Sequence, residues 1–110
     1  MPDSHDIVGA ASLIVGVTGH RMLCEAELPG LRAKVQAFFL DLRARYPDLP
    51  LVLLSSLAEG SDQLAAQVAI ELGVRVIAPL PMPIEQYRAD FETAQPLATF
   101  ERQLSQAEVL

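Results

Sequence analysis

Residues 51–81 read LVLLSSLAEGSDQLAAQVAIELGVRVIAPLP and contain a strand, a helix and a second strand in direct succession. Leu51 to Leu54 is wholly apolar and stops at Ser55 and Ser56, as a strand buried on both faces does. After a turn containing Gly60, the residues Leu64, Ala65, Val68, Ala69 and Leu72 recur at helical spacing, and Gly73 is a natural C-terminal stop. Val74 to Ala78 is rich in β-branched residues and is broken off by Pro79, Pro81 and Pro83. Two such strands joined by an amphipathic helix imply a parallel pair with a right-handed crossover.

Working outward, the same alternation extends in both directions. Leu13 to Val17 is a short apolar run closed by Thr18 and Gly19, which makes it the first strand. Leu28, Leu31, Val35, Phe38, Phe39, Leu42 and Tyr46 follow at steps of three and four, one stripe of a helix. Pro29 suits its first turn and Pro47 ends it. Beyond the third strand, a helix is expected after Pro96 with Leu97, Phe100 and Leu104 on one face, and Ala107 to Leu110 is placed to begin a fourth strand. Residues 1–12 carry no helical or strand period and read as a loose lead-in to a single domain over 13–110. The expected class is α/β, a three-layer Rossmann-like fold with a short parallel sheet in β-α-β-α-β order.

Composition bounds the function. A hydrophobic share of 51% against 20% charged residues is too apolar for a chain held open by its own charge. Eight Lys and Arg against fourteen Asp and Glu give a net charge of −6, which disfavours a surface built to contact a phosphate backbone. The apolar stretch Ile7 to Val17 follows Asp3 and Asp6 rather than a basic segment and is shorter than the ~20 residues of a membrane span, so neither export nor membrane insertion is expected. The single cysteine, Cys24, has no partner for an internal disulfide, which fits a reducing cytoplasm. With Cys24, His5 and His20 as the only soft or imidazole donors, no metal or other cofactor is expected.

In open α/β sheets, ligands lie beyond the carboxyl ends of the strands, so the candidate site falls on the loops that follow them. After the first strand come Thr18, Gly19, His20 and Arg21, where glycine permits close backbone approach and arginine can grip phosphate in bidentate fashion. After the second come Ser55, Ser56, Glu59, Gly60, Ser61 and Asp62, leading into a helix whose N-terminal N–H groups point outward. The loop Pro79 to Pro83 has little polar chemistry and reads as a rigid wall. Each feature also has a structural reading: Gly19 and Gly60 as turn glycines, Ser61 or Asp62 as a helix cap, Glu59 as a solvated side chain, and Cys24 as a packing residue. Arg32, Lys34, Arg43 and Arg45 read as the solvated face of the first helix. There is no G-x-G-x-x-G, no G-x-x-x-x-G-K-[ST] and no G-x-S-x-G.

Taken together, VGVTGHR at 15–21, LLSSLAEGSDQLAAQVA at 53–69 and VRVIAPLP at 74–81 resemble the SLOG superfamily of Rossmann-like domains. That group includes the lonely-guy proteins, the DNA-processing protein A domain and bacterial proteins of the YspA and YpsA type. The middle motif carries most of the likeness, through Gly60, Asp62, Ala65, Ala66 and Ala69; PIEQYRADFE at 83–92 adds to it. The resemblance implies a nucleotide or nucleotide-derived ligand, with Gly19 to Arg21 in one ligand loop and Glu59 to Asp62 in the other. The P-G-G-x-G-T-x-x-E motif of lonely-guy enzymes is not in this sequence. Residues 51–110 hold eight acids and three arginines, which sets this part of the chain against the single-stranded DNA role of the DNA-processing relatives. A ligand-binding sensor, a hydrolase of an N-glycosidic or phosphate bond and a purely structural oligomerisation domain all remain as readings.

Three or four strands leave outer strands and apolar helix faces without cover, so the chain is expected to be the N-terminal part of a larger protein or to form a homo-oligomer. Sedimentation of the 110-residue chain should therefore show self-association or be accompanied by binding of an apolar dye; a monodisperse monomer that binds no dye contradicts both.

Overall fold

The computed structural model describes residues 12–17 and 23–109 of the chain. In order, these form β1 (Leu13–Gly16), a 3-10 turn (Glu25–Glu27), α1 (Leu28–Arg45), β2 (Leu51–Leu54), α2 (Ser61–Glu71), β3 (Arg75–Ala78), α3 (Ile84–Asp90), α4 (Ala94–Leu104) and β4 (Glu108–Val109). The four strands make one sheet in the order β1-β2-β3-β4, and every pair is parallel. The α/β class, the short parallel sheet and the β-α-β-α-β order are those the sequence implies. The lead-in assigned to residues 1–12 lies, apart from Ser12, outside the described residues.

Register sorts the strand residues by face. Leu13 aligns with Leu51, and Val15 aligns with Leu53, which aligns in turn with Val76. Together with Ala78 these residues pack against Phe39 of α1, Ala65, Ala66, Val68 and Ala69 of α2, and Phe100 of α4. A strict sequential strand order with right-handed crossovers sends every connecting helix to the same side, and α1, α2 and α4 accordingly lie side by side over this face. No described helix supplies the third layer of the expected three-layer arrangement. The other face carries Ile14, Val52, Leu54 and Ile77; Val52 is buried there and Ile14 is half exposed. Arg75 and Glu108 form an ion pair between β3 and β4.

Local chemistry sets the element ends. At the end of α2, Gly73 takes φ +75°, its N–H donates to the Ile70 carbonyl, and the Val74 N–H donates to the Ala69 carbonyl, the paired closure of a left-handed glycine stop. Pro96 lies inside the first turn of α4 rather than ahead of it, because a first-turn residue needs no intrahelical N–H bond. The predicted stripe of α1 is split: Phe39 is buried, but Phe38 is 49% exposed, since adjacent residues on a helix diverge by about 100° and only one can face the sheet. Helix α3 has no counterpart in the sequence reading of the elements. It is short and is held by an aromatic cluster rather than by its own periodicity.

In that cluster, Tyr87 of α3 and Phe100 of α4 meet edge to face at 5.2 Å between ring centroids, and Phe91 lies 5.4 Å from Tyr87 and 5.0 Å from Phe100. An Arg88–Glu101 ion pair joins the same two helices at the surface. Phe100 has no exposed surface, so Phe100→Ala should lower the free energy of unfolding by about 3–5 kcal/mol in urea titration.

Candidate functional site

The connection between β2 and α2 is built almost entirely from its own side chains. The Ser55 N–H extends the sheet by donating to the Ile77 carbonyl, while the buried Ser55 hydroxyl donates to the Asp62 carbonyl (3.0 Å) and accepts from the Leu57 N–H (3.2 Å). The Ser56 hydroxyl donates to Asp62 Oδ2 at 2.6 Å, and its carbonyl accepts from the Tyr87 hydroxyl at 3.0 Å. Gln63 reaches back with its amide N–H group to the carbonyls of Leu57 (3.1 Å) and Pro96 (2.9 Å), which ties the loop to α4.

These bonds hold two unusual backbone positions. Leu57 is fully buried with φ +62°, a conformation that disfavours a residue with a Cβ; its burial in the core offsets that strain. Gly60, immediately before α2, has φ 96° and ψ −129°, a region open essentially to glycine alone. The sharp turn at Gly60 lets the chain leave the core and enter α2 within a few residues.

Of the predicted ligand residues, Ser55 and Ser56 use their hydroxyls inside the loop, and Asp62 receives one of them. Ser61 is the first residue of α2. Glu59 and Gly60 face elsewhere, onto a cavity of about 610 Å³ on the outer side of the helical layer. Thr18, Gly19, His20 and Arg21 lie outside the described residues. The structure thus brings Ser55, Ser56, Gly60, Ser61 and Asp62 into one loop and helix start, and it sets Glu59 and Gly60 at the mouth of the cavity.

The first turns of three helices border this cavity, with Leu28 of α1, Gln63 and Leu64 of α2, and Gln95 and Pro96 of α4, and Arg32 joins them from the second turn of α1. All three helices run antiparallel to the strands, so their positive dipole ends point the same way. Farther along lie Gln67 of α2 and Thr99, Arg102 and Gln103 of α4. Arg32 pairs with Glu71, and its guanidinium, helped by the Gln67 amide, holds the Glu71 carboxyl below the ordinary carboxylate range. Arg102 makes no ion pair among the described residues. Gln103 is 1% exposed and donates to the Gln63 carbonyl (2.9 Å) and to Gln67 Oε1 (3.3 Å). Among the described residues no group of three His, Cys, Asp or Glu side chains could hold a metal ion.

Arg32, Gln67, Arg102 and Gln103 escaped the sequence reading. Arg32 was placed on a solvated face, and the other three belong to helices whose packing depends on contacts more than 30 residues apart in the chain. A polar pair at Gln63 and Gln67, one turn apart on an Ala-rich helix, was the available signal.

The role of Gly60 is testable against a control glycine. Gly60→Ala should destabilise the protein by about 1–3 kcal/mol through its positive φ, whereas Gly30→Ala, in α1 with open space around a new Cβ, should stabilise it by about 0.5–1 kcal/mol; urea titration of both variants separates them.

Compared with known proteins, the chain matches no family model, no curated protein and no solved structure.

Proposed function

We propose that this chain is a nucleotide-binding module that holds a nucleotide or nucleotide-derived ligand at the carboxyl end of its parallel sheet and acts as a sensor. In this reading the backbone of residues 60–62 and Arg21, from the loop after β1, hold the phosphate; the next N–H of α2, that of Gln63, is taken by the Ala58 carbonyl (3.1 Å). Glu59 or Asp62 contacts ribose or orients a water. The observation that carries the reading is the β2–α2 loop, tied by its own hydrogen bonds and holding a strained Leu57 at the edge where α/β sheets bind ligands, with Glu59 and Gly60 bordering the 610 Å³ cavity.

The motifs that resemble those of SLOG domains favour the same ligand class. An acidic chain favours a small anionic ligand held by helix ends and one arginine over a long phosphate polymer. Cys24 is exposed and unpaired, and no described helix is long and apolar enough to cross a membrane; a cytoplasmic home suits the thiol. Self-association or a following domain is the route by which a binding signal would pass on.

Thermal-shift measurements with AMP, ADP-ribose, NAD and cyclic nucleotides test this. At one hundred times its dissociation constant, a true ligand stabilises by about 2.7 kcal/mol, and Arg21→Ala should abolish the shift. Chromatography of the recovered ligand then separates the sensor, which leaves it unchanged, from the hydrolase, which releases product. No shift with any nucleotide overturns the proposal in favour of a structural domain.

A further inference from the structure

The far end of the outer cavity contains a feature that the loop chemistry does not use. Gln103 Oε1 is buried and accepts no hydrogen bond, although the amide nitrogen of the same side chain has two acceptors. Those two bonds fix the orientation of the amide, because turning it over would set its oxygen against the Gln63 carbonyl and Gln67 Oε1. A buried acceptor without a donor is unfavourable and calls for a partner that brings an N–H or O–H group.

Arg102, the chain neighbour of Gln103, also lines the cavity, exposed and free of ion pairs among the described residues, and the first-turn end of the same cavity is apolar at Leu28, Leu64 and Pro96. A planar guanidinium stacks on ring faces, apolar walls accept ring surface, and an amide oxygen accepts from an amine. Seven residues of helix separate Gly60 from Gln67, about 10 Å at 1.5 Å per residue. That is the reach of an extended nucleoside monophosphate from its phosphate to an amino group on the base.

Building on the nucleotide reading above, we infer that the ligand is a nucleotide whose base carries an exocyclic amine, with that amine donating to Gln103 Oε1 and the ring stacked on Arg102. The phosphate lies at Gly60 and the base runs outward along α2. Gln103 lines the cavity while its Oε1 is buried, so binding includes a side-chain rotation that brings Oε1 to the cavity surface, an ordinary adjustment on complex formation.

Titration calorimetry with three matched pairs tests the assignment: AMP against purine riboside 5′-monophosphate, GMP against IMP, and CMP against UMP. One amino-bearing member should bind about tenfold more tightly than its partner, the effect of satisfying a buried acceptor. Gln103→Leu should erase that preference and leave the affinity of the weaker member unchanged. Arg102→Ala, at an exposed and unpaired position, should weaken both members several-fold without disturbing the fold, and it carries the test even where Gln103→Leu does not fold. Nucleotide binding that is lost in Arg21→Ala but shows no amine preference in any pair, and no response to Arg102→Ala, overturns this inference and leaves the nucleotide reading standing. Absence of binding by all six compounds overturns both.

Discussion

Parallel neighbours cannot be joined by a tight turn; each pair needs a crossover long enough to return the chain to its starting end. In this sheet β1, β2, β3 and β4 are neighbours in chain order, so the requirement is met three times in the same direction, and the right-handed rule for such crossovers puts every connection on one side. The helices are thereby stacked on one face, their N-termini gathered at the carboxyl ends of the strands, and the groove above α2 flanked by α1 and α4. The placement of Arg32, Gln67, Arg102 and Gln103 around a single cavity follows from this arrangement, since neighbouring crossovers present their outward faces together.

Within that frame, the β2–α2 loop shows how a strained backbone is kept. Leu57 adopts a left-handed conformation because its side chain fills the core and its N–H and carbonyl are both engaged, by Ser55 Oγ and the Gln63 amide. Hydrogen bonds of Ser55, of Ser56 with Asp62, and of Tyr87 and Gln63 restrain the segment together. The conformation at Gly60 is the one place where residue type alone suffices. A loop fixed this thoroughly presents a ligand with a surface already in place, which reduces the ordering that binding would otherwise require.

The short, largely apolar strands β1 to β3, the glycine stop of α2 and the proline breaks were legible because each is a local signal: a run, a period or a forbidden dihedral. The faces of the helices were less so. Phe38 and Phe39 are equivalent in a periodic pattern, and only the position of the sheet distinguishes them. Ser55 and Ser56 read equally well as ligand contacts and as internal hydrogen-bond partners of a turn, because a hydroxyl serves both. Arg32 and Gln103 depend on which helices become neighbours, a property of topology that no spacing within one helix contains. The pairing of the first loop with the second rests on residues 18–21, outside the described part of the molecule.

The sequential strand order also bears on how the molecule can be assembled in time. Each strand adds to the one made immediately before it, and no later strand must insert between two earlier ones. A chain of this order can acquire its layers progressively from the amino end, as each crossover docks beside its predecessor while the remainder is still being synthesised.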